Sequence, residues 1–283
     1  MIIELGGTDQ VYPRVTLRLG TLPDDVLLEV FDFYLARKYR NEDAWHTLVH
    51  VCKCWRSIVF ASPHRLQLRL LCTNKRPVEK ALDIWPALPI VIRGHRTMSK
   101  PQDANNVLAV LKLHNRVCAI DMLDIPNSFL KRLRAMKMKD PFSALTSLEL
   151  RATQRNAPAL PDSFLGGSAP RLQTLHLDSI PFPALPIFLL STHDLVELSL
   201  WKIPLSRYIT PETMVTCLSA LTNLKKLVLG FQFPRSRADR ETRLVPRLTR
   251  LVLPALTLLS FKGDSEYLED IVGQIDTPLT RLV

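Results

Sequence analysis

Glycine is scarce, nine in 283 residues, and no Gly-x-Gly-x-x-Gly, Walker loop, His-Glu-x-x-His or Gly-x-Ser-x-Gly occurs. The chain therefore has little material for phosphate cradles or a nucleophile elbow. Cysteine is sparse too: Cys52, Cys54, Cys72, Cys118 and Cys217 are odd in number and irregularly spaced. That spacing suits reduced thiols of the cytosol or nucleus better than a disulfide framework. Long apolar runs are missing, since Phe182 to Leu190 is short and broken by proline and Leu251 to Phe261 carries Pro254 and two threonines. No membrane-spanning helix is expected, and a soluble protein is. The opening Met1 to Gly7 has neither a basic n-region nor a long apolar core, so no secretory signal is expected.

Acidic residues fall short of basic ones, 27 against 37, for a net charge of +10. A basic chain invites a nucleic-acid partner through counterion release. The one dense run, Arg235, Arg237, Arg240, Arg243, Arg247 and Arg250, is diluted by Asp239 and Glu241 and has no interleaved aromatics to stack bases. A solvated basic loop is the preferred reading, and nucleic acid is not an expected partner.

What the chain has in excess is leucine: fifty residues, about 18% of the whole, which excludes intrinsic disorder. The pattern apolar-x-x-apolar-x-apolar recurs as Val117-Ile120-Met122, Leu145-Leu148-Leu150, Leu172-Leu175-Leu177, Leu195-Leu198-Leu200, Leu224-Leu227-Leu229 and Leu256-Leu259-Phe261. First positions lie 28, 27, 23, 29 and 32 residues apart. One such unit cannot bury its own leucines, so successive units must stack and share a core, as in a leucine-rich-repeat solenoid. A strand at Leu88 to Ile92 is predicted to open the sheet. The match departs from that family three residues after the last leucine, where Thr153, Ile180, Ile203, Gln232 and Asp264 stand in place of asparagine. Leu248-Leu251-Leu253 fits the pattern as well as Leu256-Leu259-Phe261, so the register between 224 and 262 stays open. Pro278 to Val283 reads as the start of another strand, and a solenoid truncated at its C-terminus is expected.

The connecting segments carry helical stripes: Val107, Val110, Leu111 and His114; Phe129, Leu130, Leu133 and Met136; Met214, Cys217, Leu218 and Leu221; Leu268, Ile271, Val272 and Ile275. Thr210-Pro211 reads as an N-cap followed by proline at the first helical position.

Residues 19–71 follow a different grammar. Leu22-Pro23-Asp24-Asp25 opens a helix with acids at the positive end of its dipole, and Val26, Leu27, Val30, Phe31 and Tyr34 form its apolar face. After a polar turn at 37–43, Trp45, Leu48, Val49, Cys52, Trp55, Ile58 and Val59 make a second helical stripe. About fifty residues hold little core, so part of this surface is expected to meet a partner. The run Leu22 to Phe31, followed by Leu48-Val49-His50-Val51-Cys52-Lys53-Cys54-Trp55-Arg56 and Ser62-Pro63, resembles the F-box. The whole chain is similar to fungal F-box proteins with irregular leucine-rich repeats.

The expected fold class is thus α/β: an N-terminal tail at 1–18, a short three-helix F-box at 19–71 and an irregular leucine-rich-repeat solenoid at 72–283, with a parallel sheet and a partly helical convex side. The resemblance implies docking on the Skp adaptor of a cullin-based SCF ubiquitin ligase while the repeats select a protein substrate. It places Leu22, Pro23, Val26, Leu27, Val30 and Phe31 against the adaptor from the first helix, joined by Leu48, Val51, Cys52 and Trp55. Phe31 and Trp55 are open to a core role instead. The alternative is a repeat scaffold that binds a protein with no ligase role. Neither reading requires catalysis, a cofactor or a metal.

Along each strand the residues between the inward leucines face the concave surface. Glu149, Arg151, His176, Asp178, Glu197, Trp201 and Lys226 are the candidate substrate contacts, with Trp201 as anchor unless it folds onto the loop around Tyr208. His176 with Asp178 lacks a nucleophile for a catalytic dyad. His46, His50, Cys52 and Cys54 superficially resemble zinc ligands, but they overlap the F-box helices, where Cys52 is expected as a small buried hydrophobe.

Overall fold

The computed structural model describes residues 22–37, 44–73, 82, 85, 87–94, 101–154, 156–204, 209–232, 250–276 and 281–282. The chain divides into two compact units, Met1–Arg69 and Leu70–Val283.

In the first unit Pro23 precedes helix α1 (Asp24–Arg37), its carbonyl accepting the Leu27 N–H at 3.0 Å. Proline suits this place because the first turn of a helix has no use for its missing N–H, and Asp24 and Asp25 complement the dipole. Helices α2 (Ala44–Val49) and α3 (Lys53–Ala61) follow. The stripe over Trp45 to Val59 is carried by these two helices, broken at His50 to Cys52. Cys52 is extended there and caps α3, its sulfur accepting the Trp55 N–H at 3.4 Å. The thiol is exposed, which corrects the expectation of a buried hydrophobe. Capping holds it outside the helix barrel, where the apolar stripe does not reach. Leu27 and Phe31 from α1, Trp45, Leu48 and Val49 from α2, and Ile58 and Val59 from α3 form the core. Phe31 lies 4.7 Å from the Trp55 ring, and the Trp45 indole N–H reaches the Arg69 carbonyl at 2.9 Å. Full burial of each large apolar side chain stabilises the unit by about 1.5–3 kcal/mol.

The second unit is α/β, built on a nine-stranded parallel sheet. Its strands are β1 (Leu70–Thr73), β2 (Ile90–Gly94), β3 (Val117–Ile125), β4 (Ser147–Ala152), β5 (Thr174–Asp178), β6 (Glu197–Ile203), β7 (Lys226–Phe231), β9 (Leu258–Lys262) and β11 (Arg281–Leu282), neighbours in chain order. A separate two-stranded sheet joins β8 (Leu251–Val252) to β10 (Ile275–Asp276). This settles the register left open: Leu256-Leu259-Phe261 belongs to the main sheet, with Leu227 opposite Leu259 and Leu229 opposite Phe261. Leu251 lies in the small sheet, and Leu248 lies outside the described residues. The sheet also opens one strand earlier than expected. In β1, Leu70 and Cys72 point inward, a segment too short to stand out as a strand. Burial pushes the Cys72 thiol up to about 12.

Each part of the repeat has one mechanical task. The first leucine of every unit (145, 172, 195, 224, 256) is fully buried, and its N–H bonds the carbonyl three residues back, closing a tight turn into the strand. At the next residue a ladder of backbone bonds begins, from Thr146 to Cys118, Gln173 to Thr146, Val196 to Gln173, Lys225 to Val196 and Thr257 to Lys225, all 2.8–2.9 Å. The second and third leucines then stack in register: Leu148, Leu175, Leu198, Leu227 and Leu259 form one row and Leu150, Leu177, Leu200 and Leu229 another. Parallel strands leave their sequence-successive neighbours side by side, so identical residues meet and the rows close-pack.

The returning segments carry α4 (Pro101–Val110), α5 (Asn127–Ala135), α6 (Leu185–Leu189), α7 (Pro211–Leu218) and α8 (Ser265–Val272). Thr210 Oγ1 caps α7 by accepting the Thr213 N–H at 3.3 Å, and Asp264 caps α8 by accepting the Glu266 N–H at 3.1 Å. Where asparagine is missing, backbone groups take over: Thr153 N–H donates to the Ile125 carbonyl and Gln232 N–H to that of Ile203, both at 3.0 Å. Asp124, Ser179 and Lys202 each stand two residues past the third apolar position of their repeat (Met122, Leu177 and Leu200), and each has a left-handed backbone, φ 57, 62 and 51°. The strand register slips at two of these corners, after Met122 and after Leu200.

Candidate functional site

The ten residues assigned to adaptor contact do not share one surface. Leu27, Phe31 and Leu48 are core of their own unit, which corrects their assignment: a three-helix unit this small has few other large side chains to exclude water. Trp55 and Leu22 are half-buried, and Pro23 and Cys52 are exposed. Val26, Val30 and Val51 are open, at 40, 44 and 56% exposure. Phe33, which the sequence did not single out, is 64% exposed, more than any of these three valines. Val26, Val30 and Phe33 stand at i, i+4 and i+7, one stripe of α1, while Leu27 and Phe31 hold the adjoining stripe that faces inward. The signal was thus present as a second apolar stripe on one helix. Beside it, Arg65 forms ion pairs with Glu29 and with Asp32, the latter at 3.0 Å.

On the sheet, Glu149, Arg151, His176, Glu197, Trp201 and Lys226 are half-exposed on the face opposite the leucines, as alternation requires. Their charges pair across strands. Arg93 meets Asp121 at 3.3 Å, His176 Nδ1 lies 4.0 Å from Glu149, and Lys226 reaches Glu197 at 3.5 Å. Such half-exposed pairs each stabilise by only about 1 kcal/mol, so they set local register more than stability.

Asp178 differs from the other substrate candidates because it is buried. Its Oδ1 accepts from Ser179 Oγ at 2.8 Å and from Lys202 Nζ at 3.1 Å. Arg151 Nε stands 3.3 Å from Oδ2, at ion-pair distance without hydrogen-bond alignment. The carboxylate therefore fixes the ends of three strands, a structural duty in place of the assigned ligand contact, and two of its donors, Ser179 and Lys202, are the left-handed corner residues. It also separates the partners of the supposed dyad, since His176 turns toward Glu149.

Trp201 lies flat over β7. A Cβ at Gly230 would stand 2.5 Å from its Cε3, and Lys262 Nζ sits 5.8 Å from the ring centroid. Glycine is thus the seat of the indole; Tyr208, the other proposed neighbour, lies outside the described residues. Trp201 also lines, with Leu177, Phe182, Leu200 and Ile203 among others, a cavity of about 20 Å³ that has room for about one water.

Of the basic run, only Arg250 falls within the described residues, and it is exposed. The 1–18 tail lies outside them. Among the described residues no three His, Cys, Asp or Glu side chains converge to hold a metal, and no helix is long and apolar enough to cross a membrane. Comparison with family models, curated proteins and solved structures returns no match.

Proposed function

We propose that this chain is a substrate-recognition subunit of a cullin-based SCF ubiquitin ligase, its first unit an F-box that docks on a Skp-family adaptor and its second an irregular leucine-rich-repeat solenoid that binds a protein substrate. The observation that carries this reading is the exposed stripe Val26, Val30 and Phe33 on α1, with Val51 exposed in the turn before α3. Large apolar side chains standing open on a small helical unit are characteristic of a surface with a partner. Val26 and Val30 lie within the run of residues that resembles the F-box, and Phe33 stands two residues past it.

In this role the chain performs no bond chemistry. It raises the effective concentration of a substrate lysine near a ubiquitin-charged enzyme, into the millimolar range for a well-matched geometry. The chain acts in cytosol or nucleus, where its thiols stay reduced. The test is co-purification of the chain with a Skp-family adaptor, wild type against Val30→Asp/Phe33→Asp, with circular dichroism on both. Retention of the adaptor by wild type and its loss, by about thirtyfold or more in affinity, in the folded variant is the expected result for removal of a hot spot. Folded wild type that ignores the adaptor would refute the ligase role and leave a repeat scaffold.

A further inference from the structure

A second surface lies at the end of the sheet where the strands begin, between the unit that carries β3 and the unit that carries β4. Helix α4 ends in a turn that holds Lys112 and His114, and the chain leaving α5 runs past it as Met136 to Asp140. Between them is a groove of about 190 Å³. That is nearly ten times the cavity lined by Leu177 and Leu200 and larger than the roughly 150 Å³ apolar void that takes a benzene ring. Its floor is apolar: Leu111, Met138 and Phe142 are buried, and Met136 is half-exposed along it. Its rim is cationic. Lys112, Lys137 and Lys139 are exposed, and none has an ion-pair partner among the described residues. The one carboxylate, Asp140, faces His114 Nε2 at 3.7 Å, while His114 Nδ1 lies 3.2 Å from the Pro141 carbonyl.

The groove is held open from behind. Met138 sulfur accepts the Leu165 N–H at 3.2 Å, and Phe142 N–H donates to the Ser168 carbonyl at 3.1 Å. Gly166, at φ +63°, passes so close to Asp140 that a Cβ there would stand 2.2 Å from its carbonyl oxygen. A wall fixed by the next unit needs little ordering on binding, which favours affinity.

From these features we infer that the groove binds an acidic linear segment of a partner protein, its carboxylates on the three lysines and an apolar side chain on the methionine floor. Thioethers adapt to varied apolar side chains, and unpaired ammonium groups supply the complementary charge. Phe142 is buried and the one other ring lining the groove, the His114 imidazole, is held at the Pro141 carbonyl and Asp140, so no row of open aromatic faces is offered for successive bases, which sets the surface apart from a single-stranded nucleic-acid site. The inference rests on the receptor reading only for what the bound segment is for, namely substrate capture.

Fluorescence anisotropy of a fluorescein-labelled peptide of alternating glutamate and leucine, titrated with the full chain, tests it. Saturable binding is expected, weakened by about tenfold or more in Lys112→Glu/Lys137→Glu/Lys139→Glu, the summed effect of three exposed ion pairs. Lys131→Glu/Lys225→Glu, away from the groove, should bind as wild type. Peptides with lysine for glutamate, or serine for leucine, probe the same contacts on unaltered protein and should each bind poorly. Absence of saturable binding, equal loss in the two variants, or a labelled oligothymidine that binds tighter with the same lysine dependence would each overturn the inference. Adaptor retention, measured on the same proteins, should be unchanged by the groove variant; its absence throughout would sink the ligase reading while leaving the peptide result standing.

Discussion

Removing the Asp178 carboxylate should destabilise the second unit more than removing any other charge on the exposed sheet face. The side chain is 6% exposed, but its partners Lys202 and Arg151 are 49% and 43% exposed, so both cations can turn to water when it goes. That limits the loss to about 1 kcal/mol per cation, well below the 3–5 kcal/mol of a fully buried pair. In Asp178→Asn the amide oxygen still accepts from Ser179, and the expected cost is about 1–2 kcal/mol. In Asp178→Ala that bond goes too, and the left-handed conformations of Ser179 and Lys202 lose the group that both donate to. Each such residue holds about 1–2 kcal/mol of strain that persists only while its surroundings enforce it. The alanine variant should therefore cost about 3 kcal/mol. Urea unfolding followed by far-UV circular dichroism measures both, with Glu197→Gln, at the half-exposed pair with Lys226, as a reference of at most about 0.5 kcal/mol. A second cycle isolates the strain. Lys202→Gly should be neutral or harmful in wild type, where the ammonium is lost, and stabilising by about 1 kcal/mol in the Asp178→Ala background, where only the left-handed corner is left to relieve. An Asp178→Asn variant no weaker than Glu197→Gln, or a glycine effect of the same sign in both backgrounds, would refute the assignment.

Other outcomes follow from the same packing. Gly230→Ala should push the indole of Trp201 off β7, at a cost of about 1–3 kcal/mol, and red-shift its emission; an unchanged spectrum would show that the ring does not rest there. Leu175→Asp should unfold the second unit, because an unpaired carboxylate in the leucine row costs several kcal/mol, whereas Trp201→Ala should cost about 1–2 kcal/mol; equal thermal shifts would contradict the strand register. At pH 8, a thiol reagent should modify exposed Cys52 and Cys54 first. Cys72 and Cys217 should react only in denaturant, since burial raises both thiols above their ordinary value and keeps them protonated; rapid labelling of native Cys72 would remove β1 from the sheet.

The leucine pattern was legible because a parallel sheet in chain order demands it: Leu148, Leu175, Leu198 and Leu227 meet only if each unit repeats its spacing. The caps at Thr210 and Asp264 and the helical stripes follow from local chemistry, which a sequence displays directly. What escaped was decided by tertiary choice between near-equal local options. Val26 and Leu27 are adjacent apolar residues of one helix, and only packing against α2 and α3, as of Phe31 against Trp55, determines which stripe turns inward. Asp178 looked like Glu149 or Glu197 in alternation, and its burial arises from the corner at Ser179, a backbone turn that no residue type there announces. Lys112 and Lys139 were legible only as scattered charge, because the groove between them joins segments from two units.

The strict succession of strands also makes the second unit elastic in a particular sense. Among the described residues every strand in the main sheet bonds only to its predecessor and its successor there, and no closing contact ties the first strand to the last. Cohesion is then a chain of nearest-neighbour terms, and loosening can start at either flank and travel inward without breaking the middle. Amide exchange should accordingly be slowest across Leu148 to Leu229 and quicken toward β1 and β11. Repeats of 23 to 32 residues between first positions share one strand spacing, so the return segments can differ in length at little cost. The face that carries Trp201 and the back that carries the helices are in this way mechanically decoupled, and a change in the one need not disturb the other.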